Sequence, residues 1–376
     1  MREVVISGTG LFVPPDVITN EELVNTFNQY VDIFNAENAE AIAAGDIAAK
    51  VYSSAEFIEK ASGITKRHVV EKSGILDPHH MKSHVSEDLF GDADTPSMQA
   101  KWAVEAAEKA LAAAGKTGAD VDYVISAAAL QQRYFPAVSI EVQKFIGATG
   151  TALDLTMACS SATFGMLTAY DALMAGSAKC VLIVNPEFFS TLVNYRDRDS
   201  HFIFGDVCTA VVMELKDTCT TDNAWKVISR KAMTQYSTNI TSNMGPLMRN
   251  VEGGLERDDS FFLQEGRKVF KELLPIVTKY IGDHLDEAGL EANDMRRLWL
   301  HQANINMDVY AVKKLLGHEP DHDVAPMPLK KYANMAGAGS IVAFHENKDD
   351  LNTGDKGIIC SFGAGYSLGS LIVERL

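Results

Sequence analysis

Short apolar runs that alternate with helical segments along the whole chain limit the possible folds most strongly. Buried strands are predicted at residues 4–10, 123–126 and 180–184. Helical spacing of apolar residues predicts helices at 97–114 and 160–174. Apolar strands that alternate with helices are typical of mainly parallel sheets covered on both faces. We therefore expect an α/β protein.

The chain is expected to contain two similar halves. The polar stretch 216–224 is the best candidate for a boundary, which gives halves at 1–216 and 217–376. Both halves run strand, helix, strand and end in paired strands, as a duplicated α/β unit would. The Ala-rich residues 35–52 are predicted to continue a helix that Thr19 caps, and a long helix is predicted over 261–288.

Charge and cysteine content exclude several classes of protein. The chain has 34 basic and 50 acidic residues, a net charge of −16, which argues against nucleic acid or an anionic membrane as the main partner. No run approaches the ~18 apolar residues of a membrane-spanning helix, and the chain enters a strand directly, without a secretory signal. Five cysteines without CxxC spacing argue against a disulfide framework or a metal site and favour a cytoplasmic location.

Cys159 is the strongest candidate for a chemical role. The segment 152–165 reads as a short strand, a run of small residues and a helix, which places Cys159 at a strand-to-helix turn. The N–H groups and dipole of a helix N-terminus are expected to lower the pKa of a thiol there. Such a thiolate is a nucleophile for an acyl carbonyl. The local sequence leaves open that Cys159 is a small buried hydrophobe, as most cysteines are.

Three further segments carry residues that a thiol acyltransferase needs. His301 ends a predicted strand, Asn334 lies among small residues just before a predicted helix, and 361–369 is a glycine-rich turn between two strands. General acid–base chemistry needs a residue such as His, and an oxyanion needs N–H donors. Each segment also has a plain structural interpretation: a core histidine, a helix cap and a tight turn.

In this order and at these separations, the four segments resemble the β-ketoacyl-acyl carrier protein synthase III family of the thiolase superfamily. Residues 203–206 (Ile-Phe-Gly-Asp) and 63–68 (Gly-Ile-Thr-Lys-Arg-His) are also similar to motifs of that family. The resemblance implies a five-layered αβαβα thiolase-like fold, with two similar halves of mixed, mainly parallel sheets, and a homodimer.

The resemblance also implies a reaction. In such enzymes the cysteine at the position of Cys159 takes an acyl group from a primer thioester. Residues at the positions of His301 and Asn334 bind the malonyl carbonyl, and backbone N–H groups of Cys159 and of the turn with Gly363 and Gly365 hold the second oxyanion. The expected product is a β-ketoacyl-acyl carrier protein in fatty acid biosynthesis. CoA thioesters would be substrates, and no cofactor or metal would be bound permanently.

Residues outside the catalytic set are also implied by the resemblance. Arg198 and Phe57 match positions beside the CoA adenine, but Phe57 replaces the family's larger Trp, and Ala61 replaces an Arg. These changes would weaken the CoA contact and put an acetyl-CoA primer in doubt.

Two surfaces are implied in the same way. Phe135 matches a residue that crosses the dimer interface to the partner's acyl pocket. Lys313 and Lys314 match a basic pair on the helix that receives the acidic acyl carrier protein, and Arg267 and Lys268 are expected to contribute to the same docking surface.

Alternatives remain on the same scaffold. Head-to-head joining of two acyl-CoAs is one, but it needs a carboxylate base, and the relevant loop has Gln131 and Gln132. Esters or alkylquinolone-type products are others. A non-catalytic carrier-protein-binding subunit is a further alternative, although such subunits commonly lack the nucleophile. An extra segment between Asn28 and Ser53 would either roof a larger acyl channel or enlarge the dimer interface.

Overall fold

The computed structural model describes residues 2–320 and 323–376. The strands are β1 (Val4–Phe12), β2 (Asp16–Thr19), β3 (Lys66–Val69), β4 (Tyr123–Ala127), β5 (Thr151–Leu155), β6 (Cys180–Glu187), β7 (Val207–Leu215), β8 (Trp225–Thr234), β9 (Ile240–Thr241), β10 (Leu263–Gln264), β11 (Met295–Leu300), β12 (Lys356–Gly363) and β13 (Ser367–Arg375). The helices are α1 (Asn20–Glu37), α2 (Ala39–Ala44), α3 (Ala55–Ser62), α4 (Met98–Ala114), α5 (Val138–Ile146), α6 (Ser161–Ala175), α7 (Gly266–Glu287), α8 (Ile305–Leu316), α9 (Leu329–Tyr332) and α10 (Gly339–Glu346). In the described residues, no helix is both long and apolar enough to cross a bilayer.

Nine strands form one continuous sheet in the order β11-β12-β13-β8-β1-β7-β6-β4-β5. In the first part of the chain β1, β4, β5 and β6 run in one direction and β7 opposes them. In the second part β8, β11 and β12 run in one direction and β13 opposes them. The prediction of mixed, mainly parallel sheets is therefore confirmed.

The two parts of the sheet repeat one arrangement. In each part the last strand lies beside the first, as β7 beside β1 and β13 beside β8. The parts join where β1 pairs with β8 through Val5–Lys226 and Ile6–Trp225. This repetition agrees with two similar halves, and the boundary at 216/217 stays a prediction.

Alternate residues of the strands face different helix layers, which gives the protein its five layers. On β6, Leu182 and Val184 belong to the apolar cluster beneath α4 and α5, whereas Val181 and Ile183 face α6. On β12, Ile359 faces the same central cluster, which includes α10. Its neighbours Ile358 and Cys360 pack against α7 and α8 on the far side. The α/β thiolase-like fold class is thus confirmed.

Helix α6 is the central element because it contacts both parts of the sheet. A Cβ at Gly165 would lie 2.8 Å from the Cβ of Ala127 on β4. On the other side, a Cβ at Gly369 of β13 would lie 2.5 Å from the Oγ1 of Thr163. Both approaches are closer than a side chain allows, so glycine at these positions permits α6 to fit between the sheets.

Two predicted helices differ from the structure. Helix α1 begins at the Thr19 cap as expected and is followed by α2. The helical segment ends with α2 at Ala44 and does not reach residue 52. Helix α2 buries no residue, so it gains no packing energy, and the Asn35 side chain instead bonds the backbone of Lys50 at 2.9 Å. Helix α7 begins at Gly266, later than predicted, because residues 263–264 pair with 240–241 as a short strand.

A carboxyl group on α8 is buried without a partner. Asp308 is 2% exposed and lies on the same helix face as Ala311, Val312 and Leu316. Within the described part of the chain, neither carboxyl oxygen has a hydrogen-bond partner. Burial raises the pKa of Asp308 well above its usual value.

We expect Asp308→Asn to stabilise the protein in a pH-dependent way. Because the folded-state pKa is raised, the native state holds a proton that the unfolded chain releases, and stability falls as the pH rises above the unfolded value near 4. An amide removes this dependence. In urea unfolding at pH 8.5, the free energy of unfolding of the variant should exceed that of the wild type by at least ~1.4 kcal/mol, and this difference should shrink towards pH 6. Asp286→Asn, at an exposed position on α7, is the control, and an equal effect of both variants would contradict this account.

Candidate active site

The four predicted segments meet at one cavity of about 440 Å³. Cys159, His301, Asn334 and Gly363 all line it. They come from the turn before α6, the end of β11, the segment before α10 and the end of β12. Strand ends and helix starts that are distant in sequence thus present their side chains to a common space.

Cys159 lies in a single 3-10 turn, Ala158–Ser160, directly before α6. Ala158 has a φ of +46°, a conformation that L-residues rarely adopt. The Ser161 hydroxyl holds the turn by accepting from the Met157 N–H at 2.9 Å and donating to the Ala158 carbonyl at 2.7 Å. A Cβ at Gly363 would lie 2.5 Å from the Cβ of Cys159, so this glycine lets the end of β12 reach the thiol.

The expectation that the helix N-terminus lowers the pKa of Cys159 is wrong. Burial and, to a smaller extent, the nearby charge of Glu187 raise the pKa of this thiol to about 12, although the N–H groups of Ala364 and Cys159 act in the opposite direction. Cys159 is only 9% exposed and lies in the turn before the helix rather than in its first turn. The cost of desolvating a thiolate therefore exceeds what the helix provides.

His301 presents a neutral imidazole to the cavity. Its backbone N–H donates to the Cys360 carbonyl at 2.8 Å. Its ring is nearly perpendicular to the Phe362 ring, and the two ring centroids lie 5.3 Å apart. Burial lowers the pKa of His301 to about 4. Within residues 2–320 and 323–376 its Nδ1 has no hydrogen-bond partner.

The residues that follow His301 have structural contacts. The Gln302 side chain donates to the Leu300 carbonyl at 2.9 Å and accepts from the Leu329 N–H at 3.2 Å. Asn304 caps α8 by accepting from the Asn306 N–H at 2.9 Å. The His-Gln-Ala-Asn segment therefore holds the histidine on a fixed backbone.

Asn334 is held at both its backbone and its side chain. Its backbone bonds Ile203 and Gly205 at 2.9 and 3.0 Å. Its Oδ1 accepts from the Ala336 N–H at 3.0 Å, which leaves Nδ2 as the donor of this cavity-lining side chain. Ala333 and Ala336, which flank this turn, have φ values of +61° and +47°.

Glu187, the last residue of β6, is not among the residues predicted from the sequence. This carboxylate is completely buried and lies close enough to Cys159 for its charge to affect the thiol. A charged residue at the end of a mostly apolar strand was the available signal.

The two residues predicted to contact CoA lie together beside the cavity. The Arg198 guanidinium lies 3.9 Å from the centroid of the Phe57 ring, and Phe57 lines the cavity. The Arg198 Nε donates to the Tyr52 carbonyl at 2.8 Å. Ala61 and Asn306 line the same part of the cavity without adding charge.

The other predicted residues lie outside the cavity. Arg267, Lys268, Lys313 and Lys314 are exposed on α7 and α8. These helices are neighbours, since the Phe270 and Tyr310 rings lie 6.2 Å apart.

Neither Phe135, which is predicted to lie at a dimer interface, nor the extra segment 28–53 reaches the Cys159 thiol in this chain. Phe135 is 83% exposed and does not line the cavity. The fully described segment 28–53 does not line it either, and Tyr30, Phe34 and Lys50 instead border a separate cavity of about 350 Å³. The segment therefore does not roof the cavity of Cys159.

Comparisons with known proteins agree with this geometry. The family models described as 3-oxoacyl-[acyl-carrier-protein] synthase III and its C-terminal part match residues 153–234 and 285–375. Over 352 residues, the chain is 45% identical to the beta-ketodecanoyl-[acyl-carrier-protein] synthase of Pseudomonas aeruginosa, covering 94% of this chain and 100% of the relative.

More distant relatives cover equally long regions. The beta-ketoacyl-[acyl-carrier-protein] synthase III 1 of Bacillus cereus is 28% identical over 98% of both chains. The crystal structure of 3-oxoacyl-(acyl carrier protein) synthase III from Pseudomonas aeruginosa PAO1 has a TM-score of 0.75, with 21% identity over 99% of this chain and 98% of that one. The chain belongs to the β-ketoacyl-acyl carrier protein synthase III family of the thiolase superfamily.

Proposed function

We propose that this chain condenses an acyl thioester with malonyl-acyl carrier protein to give β-ketoacyl-acyl carrier protein, CO2 and a free thiol. The observation that carries the proposal is the shared cavity, which Cys159, His301, Asn334 and Gly363 line. A nucleophile, an imidazole, an amide donor and a close backbone turn are the groups that this reaction needs.

In the first half-reaction the Cys159 sulfur attacks the thioester carbonyl of the primer. Because its pKa is raised to about 12, the thiol is protonated at neutral pH and must lose its proton as the S–C bond forms. The His301 imidazole accepts this proton and returns it to the departing thiol. The Ala364 N–H, which acts on the Cys159 sulfur, lies in the turn between Gly363 and Gly365 and stabilises the oxyanion with the Cys159 N–H.

In the second half-reaction the malonyl thioester loses CO2. Its carbonyl oxygen gains negative charge as the enolate forms, and the N–H groups of His301 and of Asn334 Nδ2 stabilise that charge. The lowered pKa of His301 keeps the imidazole neutral, so no fixed positive charge stabilises the malonyl carboxylate against its loss. The enolate carbon then attacks the acyl carbonyl, the C–S bond breaks with its electrons on sulfur, and the Cys159 thiolate takes up a proton from water, which restores the thiol.

We propose a primer of medium length. The relative that is 45% identical is named for a β-ketodecanoyl product, which has ten carbons. Two of these come from malonyl, so the matching primer has eight. A cavity of 440 Å³ lies within the range of about 300–1,000 Å³ for small-molecule sites. Its apolar wall suits an alkyl chain and includes Phe202, Phe204, Ile240, Phe262, Val269 and Leu273.

The surroundings of the cavity support two partners. The stacked Arg198 and Phe57 offer a guanidinium and a ring to the adenine and phosphates of CoA. The exposed basic residues on α7 and α8 offer a docking surface to an acidic carrier protein. Lys268 and Lys313 are paired with Glu265 and Glu319.

In the described part of the chain, Arg267 and Lys314 form no ion pair, whereas their neighbours Lys268 and Lys313 do, so the charges of Arg267 and Lys314 are available to a partner. We assign them the main electrostatic contribution to carrier docking.

A homodimer and a cytoplasmic location complete the proposal. Tyr134 and Phe135 are 70% and 83% exposed, which is unusual for large side chains of a monomer and suits an interface. All five cysteines are free thiols, as expected in a reducing compartment.

Intact-mass measurement after exposure to octanoyl-CoA tests the nucleophile. Cys159→Ala should form no adduct, whereas Asn334→Ala should form the adduct at a rate close to that of the wild type. The same Asn334→Ala enzyme should lose about 10²–10³-fold in condensation with malonyl-acyl carrier protein, because one oxyanion donor is missing. An adduct that persists in Cys159→Ala would refute the mechanism.

The primer length is tested with Leu273→Phe. The larger side chain should fill part of the cavity and lower the ratio of octanoyl to acetyl adduct about tenfold. Leu285→Phe is the control, because Leu285 is buried on the same helix but does not line the cavity. If both variants retain the wild-type ratio, the acyl chain does not occupy this cavity wall.

Charge reversal tests the docking surface. Arg267→Glu and Lys314→Glu should each raise the KM for malonyl-acyl carrier protein about tenfold, with the effect fading at high salt. Transfer from octanoyl-CoA to Cys159 should be unchanged. Lys101→Glu, on the exposed side of α4, carries the same charge change elsewhere, and an equal KM effect there would point to net charge instead of docking.

A further inference from the structure

Glu187 is a buried carboxylate beside the active site, and the mechanism above gives it no role. Its Oε1 accepts from the Ala129 N–H at 3.0 Å and from the Gly337 N–H at 3.1 Å. Its Oε2 lies 3.1 Å from the same Ala129 nitrogen. Glu187 has no ion pair with a cation in residues 2–320 and 323–376, so backbone N–H groups are its main compensation.

These bonds connect Glu187 to the amide of Asn334. Gly337 follows Ala336, whose N–H occupies the Oδ1 of Asn334 at 3.0 Å. The carboxylate therefore fixes the turn that decides which end of the Asn334 amide faces substrate. Movement of this turn would displace the Nδ2 donor or allow the amide to rotate.

Glu187 also lies against the turn that carries the nucleophile. A Cβ at Gly337 would lie 2.6 Å from the Glu187 Oε1 and 3.4 Å from both the Ala158 carbonyl oxygen and the Ser161 Cβ. The Asn334 turn, the Cys159 turn and the end of β6 therefore meet at Gly337. A side chain at this position would force them apart.

We propose that Glu187 is a positioning residue that fixes the Asn334 amide relative to the Cys159 thiol. This inference rests on the proposed function, since it assigns a second role to the same cavity. Under a purely structural role, loss of Glu187 would lower stability and affect both half-reactions alike. Under the positioning role, condensation depends on Glu187 and acylation does not.

The charge of Glu187 offers an independent measurement. Burial raises the pKa of Glu187 to about 8, the Ala129 and Gly337 N–H groups oppose this, and Asp206 adds a small increase. The thiols of Cys159 and Cys208 also respond to its charge. Above pH 8 the ionised carboxylate therefore disfavours the Cys159 thiolate, and below pH 7 this effect disappears.

Glu187→Gln and Glu187→Ala separate these roles. Glutamine retains an oxygen for both N–H groups but carries no charge, whereas alanine removes the bonds. Glu187→Ala should lose about 10–100-fold in condensation with malonyl-acyl carrier protein, because the donor is displaced, and its acylation by octanoyl-CoA should stay within ~3-fold. Glu187→Gln should restore most of the condensation rate. In Glu187→Gln, the alkylation of Cys159 by iodoacetamide should be several-fold faster than in the wild type at pH 9.5 and equally fast at pH 6.5.

The control is Asp122→Ala at the opposite end of the sheet. Asp122 also accepts from backbone N–H groups, those of Lys179 and Cys180 at 3.0 and 3.2 Å. Its loss should lower stability without changing the ratio of the two half-reactions. A folded Glu187→Ala enzyme with wild-type condensation, or equal losses in both half-reactions, would overturn the positioning role alone. A wild type that accepts the acyl group but never condenses would reject the proposed function itself.

Discussion

The insertion of α6 between the two parts of the sheet is the contact on which the active site depends. The helix buries eight of its fifteen residues, and close approaches at Gly165 and Gly369 hold it against β4 and β13. Cys159 lies in the turn that leads into this helix, so its position is set by both parts of the fold at once. The residues that complete the cavity come from the second part, and β12 brings Gly363 against the thiol. A cleft between the parts would otherwise separate Cys159 from His301 and Asn334.

Several residues of the active site have backbone conformations that are unfavourable in free energy, and the surrounding contacts hold them in place. Ala158, Ala333 and Ala336 all have positive φ values, and each lies next to Cys159 or Asn334. Such conformations persist only where the surrounding structure enforces them. Here the enforcing contacts are the Ser161 hydroxyl, the pairing of Asn334 with residues 203 and 205, and the buried carboxylate of Glu187. The geometry of the cavity is therefore fixed before substrate arrives.

Sequence patterns predicted what local periodicity and motif order encode. The strand and helix alternation, the Thr19 cap and the meeting of Cys159, His301 and Asn334 could all be obtained in this way. Properties that depend on burial could not. The pKa of Cys159 was predicted in the wrong direction because the sequence shows the helix but not the depth of the thiol. Glu187 was not predicted because its partners are backbone N–H groups 58 and 150 residues away. The burial of Asp308 was not predicted because the sequence of α8 does not indicate that this residue faces the core.

The raised pKa of Cys159 has a consequence for the resting protein under oxidative stress. Peroxides attack thiolates, and susceptibility follows thiolate character and exposure. A thiol that stays protonated and nine-tenths buried resists conversion to sulfenic acid while it waits for a substrate. Under the proposed mechanism, the thiol becomes nucleophilic only when a bound thioester is in place, so the proposed nucleophile would also be protected from damage between turnovers.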